Sequence, residues 1–311
     1  MARYLLVNTA RGVLTIFAVS LIIFSLARLT GDPIDVLGPE DMSREDEAAL
    51  REQWGLDKPL PQQYVSFVAN ALRGDFGPSF KFPTETAGSV ILERLPNTLR
   101  LGFVAMVLTI AIGIPLGILA AVKRGSWLDR IAKGLALFGQ SVPEFWLAIV
   151  LIWVVAVRWH FVPTSGIQGW ESYILPSIVI SLFGIAALLR LFRSAMLETM
   201  GSEYVKLARL KGLSEFKVIW KHALKPAASG PLTFFGGILV RMLTGATVVE
   251  IVFAWPGIGL LAYDAANARD FPVVQALTLL TATVIVVMNL LVDVAYAYLD
   301  PRVRLGEKAM V

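Results

Sequence analysis

Glu144, Arg241, Glu250 and Asp293 are charged residues set inside long apolar runs. A charge at mid-bilayer costs about 2.5–3.5 kcal/mol on insertion scales, so each needs a partner or a polar path to face. Glu144 follows Pro143, and a proline in a helix frees a carbonyl and can bend the chain toward a cavity. Two readings stay open for it, a translocation path and a structural ion pair. Arg241 and Glu250 are nine positions apart on one helix, on nearly opposite faces, so they require separate partners. Asn289 and Asp293 share a helix face near the end of the last run, at a depth similar to Arg190 and Arg193, which favours a structural clamp among these groups over the alternative of a proton relay.

Bond-breaking chemistry finds no comparable set of residues. There is no His-Glu-x-x-His, no Gly-x-Ser-x-Gly, and no glycine-rich loop ending in Lys-Ser or Lys-Thr that could cradle phosphates. The chain has no cysteine and only two histidines, His160 and His222, which fall in segments expected on opposite sides of a membrane. Neither a metal nor another cofactor is expected, and any ATP hydrolysis belongs to another chain.

The elements that must carry these residues are apolar helices. Of the 311 residues 56% are hydrophobic and 17% charged, with mean hydropathy +0.66, more than a water-soluble fold can hide. The apolar residues cluster into runs of roughly 17 to 25, long enough to cross about 30 Å of hydrocarbon. The runs are Gly12–Leu29, Leu101–Val122, Gly134–Val157, Tyr173–Leu189, Leu232–Phe253 and Val273–Leu299. The first is longer than the core of a secretion signal, despite a small-x-small pair at Ser25 and Ala27, and is read as a span. The fold class is all-α, a polytopic membrane protein of about six transmembrane helices.

Charge sets the expected orientation. With both termini cytoplasmic, segments 1–11, 123–133, 190–228 and 300–311 carry 17 Lys and Arg against 6 Asp and Glu. The remainder carries 11 against 18, an asymmetry that follows the positive-inside rule. Four parts follow: an N-terminal end with its span (1–30), an outer segment (31–96), a five-span core (97–299) and a cytoplasmic tail (300–311). The outer segment is punctuated by prolines and predicts short helices and turns, with Leu60–Leu72 amphipathic.

Between the fourth and fifth spans, residues 201–226 are too polar to cross. Lys206, Arg209, Lys211, Lys217, Lys221 and Lys225 alternate with Tyr204, Val205, Leu207, Ala208, Leu210, Val218, Ile219 and Trp220. Ser202 is a candidate cap, Glu203 suits the helix dipole, the pattern breaks at Gly212, and a second helix should stop before Pro226. Two short helices about a glycine turn could insert into a groove on a soluble partner. A basic patch on anionic headgroups is the other reading.

The run Tyr204–Ser214, continuing to His222-Ala223-Leu224, resembles the coupling-helix signature of ABC importer permeases, in the branch handling dipeptides, oligopeptides and nickel. Gly31-Asp32-Pro33, Gly55–Pro61, Gly74–Gly77, Arg94–Leu99, Phe253–Gly259, Arg269–Pro272, Asn289–Asp293 and Asp300-Pro301-Arg302 are similar to that branch as well, in order along nearly the whole chain. One departure is that Lys206 and Leu207 stand where the general motif has Glu-Ala.

The resemblance implies a type I importer permease fold and a transport subunit with no catalytic role. Its implied partners are a second homologous permease, two cytoplasmic ATP-binding subunits and an extracytoplasmic solute-binding protein, in a bacterial or archaeal inner membrane. It implies that Tyr204, Ala208, Lys211, Gly212 and Leu213 couple to the ATPase. It also favours a turn near the gate at Trp255, Pro256 and Gly257, against the alternative of an interfacial aromatic anchor. The cargo implied is a peptide or related small solute, its identity set largely by the binding protein. The alternative function, an ion-coupled secondary transporter, would use the buried carboxylates and need no dock, but no inverted repeat is evident. Gly113 and Gly117 form a small-xxx-small pair that predicts close helix packing.

Overall fold

The computed structural model describes residues 2–29, 34, 43–231, 236–238, 240 and 246–299. Regular structure among them is helical, apart from one isolated bridge between Pro78 and Thr86. In chain order the helices are α1 (Ala2–Leu29), α2 (Arg44–Gln53), α3 (Leu60–Ala71), α4 (Ala87–Val122), α5 (Trp127–Ser141) and α6 (Glu144–Leu151). A π-helical turn, Ile152–Arg158, extends α6, and a 3-10 turn, Trp170–Tyr173, leads into α7 (Ile174–Met200). Then come α8 (Glu203–Leu210), α9 (Glu215–Lys217), a π turn (Val218–Ala223), α10 (Leu224–Ala227), α11 (Thr247–Val252), α12 (Ile258–Asn267) and α13 (Phe271–Leu299).

Four described helices are long and apolar enough to cross a membrane, at Leu6–Leu29, Ala87–Val122, Trp170–Met200 and Phe271–Val292. The expected third span is not one helix: α5 and α6 meet at 107°. Pro143 lacks an N–H and forces Val142 into an extended conformation (φ −86°, ψ 125°), which ends α5 and caps α6 afresh. Counted as a single broken span, the pair makes a fifth. Of the expected fifth run, Leu232–Phe253, the end appears as α11, while Arg241 lies outside the described residues, as do Gly31-Asp32-Pro33 and the tail 300–311.

Two spans exceed their apolar runs. Helix α4 has 36 residues and passes through Pro96 and Pro115; at about 1.5 Å per residue it is about 54 Å long, more than the hydrocarbon thickness. Helix α7 has 27 residues and continues past Leu189 to Met200, so Arg190 and Arg193 lie within it.

The chain divides into two compact units, described separately. Unit 1 holds Thr98–Trp255 and the last helix from Met288, and unit 2 holds Ala2–Asn97 and Pro256–Val287. The core of unit 1 gathers around α7, whose Val179, Leu188, Phe192 and Met196 are buried with Leu101, Val249 and Trp255. Small residues let neighbours approach it. A Cβ on Gly117 would lie 2.8 Å from the Leu189 carbonyl oxygen, and one on Gly139 would lie 2.9 Å from the Ala186 Cβ. Gly113 meets the same helix, at Leu188 and Ile185, so the small-residue pair packs α4 on α7.

Unit 2 builds a smaller core from Val90, Ile91, Leu261, Ala265, Val273 and Leu277. Its buried Asp270 accepts from the Ser79 hydroxyl, from Lys81 N (3.1 Å) and from Val273 N (3.4 Å). The carboxylate thereby caps α13 and pins the preceding loop, a use for the Arg269–Pro272 motif that its composition does not disclose.

Candidate functional site

Helix α7 hands the chain to α8 at Gly201. Ser202 occupies the N-cap with extended dihedrals, but its hydroxyl bonds back to the Thr199 carbonyl at 2.6 Å and makes no cap bond. Along α8, Val205 and Ala208 turn inward and join the unit 1 core, three residues apart on one face. Gly212 then takes φ +76°, a left-handed conformation that favours glycine; a Cβ there would meet nothing within 4 Å, so the backbone, not the space, selects the residue. Arg209 closes the elbow by pairing with Glu215 across the turn, at 2.8 Å.

Beyond the elbow, Val218, Ala223 and Ala227 continue the buried face. The sequence places the end of this helix before Pro226, yet it runs to Ala227. The π turn over Val218–Ala223 precedes the proline, and such widened turns absorb the mismatch a proline's missing N–H creates.

One face of the elbow is therefore welded to the spans and the other is open. Tyr204, Leu207, Leu210, Phe216 and Trp220 are all at least half exposed, Leu210 at 84%. Of the residues expected to dock, Tyr204, Lys211 and Gly212 lie on the open side. Ala208 is buried and Leu213 packs on the core, so these two anchor the elbow and do not present it. The sequence names Leu207, Leu210 and Trp220 only as apolar positions of the segment, not as docking residues, and does not name Phe216. Their signal is a second apolar stripe opposite the first, which a soluble helix would not carry.

The intramembrane charges are placed differently from one another. Glu144 opens α6 as its first residue, near the positive end of the helix dipole, and lines a cavity of about 360 Å³ with Gln140, Ser141, Phe183 and Val248. It sits at a helix break, not in mid-span. Glu250 is fully buried, and the Thr98 hydroxyl donates to its Oε1 at 2.6 Å. Arg193, which the sequence grouped with Asn289 and Asp293, meets a partner that the sequence did not name. It donates to buried Asp129 at 2.6 and 3.2 Å, and Asp129 also receives Gly125 N (3.0 Å) and Lys133 (3.1 Å). Asp129 lies outside the apolar runs, and only the extension of α7 brings Arg193 to it. Arg190 and Asn289 are exposed, and the Asp293 side chain lies outside the described residues.

Trp255 is not an interfacial anchor, because none of it is exposed and its ring meets Tyr173 edge-on at 4.6 Å. The turn that buries it bends at Ala254 (φ +45°), with Trp255 N donating to the Glu250 carbonyl (2.8 Å) and Gly166 N to the Phe253 carbonyl (2.9 Å). In unit 2, Asn97 Nδ2 donates to the Pro256 carbonyl at 2.8 Å, and Gly257 is the N-cap of α12.

Residues 113–305 match the family described as binding-protein-dependent transport system inner membrane component. The chain is 37% identical over 337 residues to the dipeptide transport system permease protein DppB of Escherichia coli K12, covering 98% of this chain and 99% of that protein. It is 33% identical over 314 residues to the oligopeptide transport system permease protein AppB of Bacillus subtilis, covering 97% and 99%. Among solved structures, the inward-facing MetNI methionine ABC transporter is similar in fold, with a TM-score of 0.55 at 19% identity, covering 68% of this chain and 96% of that one.

Proposed function

The chain belongs to the family of binding-protein-dependent transport system inner membrane components, and from that membership we propose that it lines the path of a peptide importer driven by cytoplasmic ATPases through the Gly212 elbow. It is the permease subunit of an ATP-driven ABC importer, and hydrolysis resides on a separate chain. Peptide cargo is supported by two relatives covered almost end to end, one named for dipeptides and one for oligopeptides. Two ATP-binding subunits, a second and different permease, and a solute-binding protein on the outer face complete the assembly in this reading. The lysine- and arginine-rich segments support a reading in which both termini and the elbow are cytoplasmic.

The observation that carries the coupling role is the two-faced elbow. Val205, Ala208, Val218 and Ala223 are buried with α7, so a push on the elbow moves the spans. Tyr204, Leu207, Leu210, Phe216 and Trp220 offer a partner an apolar surface rimmed by Lys206, Lys211 and Lys217. Closure of the ATPase pair would then rock the bundle between two arrangements and alternate access to the path. Glu144, at the broken span and beside a cavity, is the residue this reading places on the path, with the Trp255–Gly257 turn near the gate. A self-contained ion-coupled carrier has no use for the exposed stripe.

Because the chain has no cysteine, single substitutions give clean probes. Leu210→Cys and Trp220→Cys, treated with a short thiol-to-amine crosslinker in inverted membrane vesicles, should each capture an ATP-hydrolysing subunit. Capture of lipid alone, with peptide uptake intact, would overturn the docking role.

A further inference from the structure

Unit 2 carries two half-open chambers that share Phe67 and Phe76 as walls. The larger, about 660 Å³, is bounded by α1, α3, α4 and α13 and is lined almost wholly by carbon, including Val13, Phe17, Ala71, Ile91 and Leu280. The smaller, about 540 Å³, lies at the Arg28 end of α1 and the Phe271 end of α13, and charges of both signs face it: Arg28 and Lys58, Glu52 and Asp75. Along α13 the two reach from Phe271 to Thr283, a rise of about 18 Å at about 1.5 Å per residue, close to one leaflet's half of the roughly 30 Å hydrocarbon layer.

A chamber so apolar does not hold water, and bare walls forfeit their dispersion contacts. In a bilayer the filling at hand is an acyl chain. Taking a methylene at about 30 Å³, the volume share of a water molecule, the larger chamber has room for about 22 carbons, enough for one acyl chain.

The polar chamber says which headgroup follows. Nε2 of Gln63 donates to the carbonyls of Leu56 (3.1 Å) and Lys58 (2.8 Å), which fixes the amide and leaves Oε1 as an acceptor. That Oε1 is buried and accepts no hydrogen bond among the described residues. A buried acceptor without a donor is costly, and a ligand ammonium would supply the donor. Arg28 and Lys58 suit a phosphate, while Glu52, Asp75 and Gln63 Oε1 suit an ammonium beside it. An anionic headgroup without an amine would leave the acids and the glutamine unanswered.

We propose that unit 2 binds one zwitterionic aminophospholipid from the leaflet on the Arg28 side, with an acyl chain in the apolar chamber and the phosphate and ammonium in the polar one. The lipid is a resident ligand filling the space between α1 and α13, and the inference requires only that the chain spans a bilayer.

The test uses the full chain purified with its partner subunits in mild detergent, exchanged extensively, and extracted for lipid quantification by mass spectrometry. The wild type should retain about one phosphatidylethanolamine per chain, and Ala71→Trp, or Arg28→Gln with Lys58→Gln, should lower retention about tenfold, the scale of a lost charge-assisted contact. Adding phosphatidylethanolamine to delipidated wild type should raise its unfolding temperature, while monodisperse Ala71→Trp should show no rise. Retention of none by the wild type, equal retention of phosphatidylglycerol, or the same rise in both proteins would overturn the proposal. Neither peptide nor ATP enters the assay, so its outcome is separate from that of the transport reading.

Discussion

Thr98 on α4 donates its hydroxyl to Oε1 of Glu250 on α11 at 2.6 Å, and both side chains are shut away from solvent. A fully buried carboxylate depends on each donor it has, because losing one leaves a desolvated acceptor behind. Thr98→Val keeps the shape and deletes the donor, so it should lower stability by about 1–3 kcal/mol. Thr98→Ser should recover most of that. Thermal unfolding of the purified assembly measures both, and a Val variant as stable as the wild type would show that the bond contributes nothing.

Asp129 and Arg193 form a largely buried ion pair, tying α5 to α7 at a side-chain exposure of 0% and 17%. Removing one member of such a pair strands the other, at a cost of about 3–5 kcal/mol. Arg193→Leu should therefore be severe. Lys133 touches the same carboxylate but is 55% exposed, so Lys133→Leu should cost no more than about 1 kcal/mol. The comparison is read as chemical denaturation midpoints in one detergent, and equal losses would mean that burial does not set the ranking.

Gly117 and Gly134 look alike in sequence, each a glycine in an apolar helix. A Cβ at Gly117 would press on the Leu189 carbonyl and the Phe192 Cβ, both at 2.8 Å, whereas nothing lies within 4 Å of one at Gly134. Gly117→Ala should destabilise by about 1–3 kcal/mol through overpacking between α4 and α7. Gly134→Ala should be neutral or stabilising by up to about 1 kcal/mol, as glycine is a poor helix former. Unfolding temperatures of the two variants in parallel decide it.

The spans were legible because lipid demands runs of apolar residues, and the two arms of the elbow because an amphipathic basic segment breaks at Gly212. What sequence could not give depends on where helices stop. Pro143 breaks the third run completely, which moves Glu144 from mid-span to a helix start, while Pro96, Pro115 and Pro226 are carried inside helices. Periodicity treats all four alike. Helix α7 outruns its apolar stretch, and that alone brings Arg193 to Asp129, a partner outside the apolar runs. Likewise, the pattern of the elbow announces two faces without saying which is buried; the resemblance put Ala208 in the docking turn, and the packing of Val205 and Ala208 marks the inner side.

Gly212 offers the sharpest test of the elbow because its conformation and its surroundings make opposite demands. Space is unrestricted there, so size alone should not matter, but φ +76° strains every side chain, β-branched ones most. Asparagine enters this region more readily than other non-glycine residues, so coupling should fall in the order Gly, Asn, Ala, Val. Val205, Ala208 and Val218 hold both arms to the core, so the variants should still assemble in the membrane and unfold close to the wild-type temperature. The loss should appear in reconstituted vesicles as ATP hydrolysis that no longer responds to loaded binding protein, with peptide uptake reduced about tenfold for Gly212→Val if the misplaced turn forfeits about 1.4 kcal/mol of docking. A dock built on charge alone would be indifferent to this series and sensitive to Lys211→Gln, whereas a dock set by the geometry of the turn requires the reverse ranking.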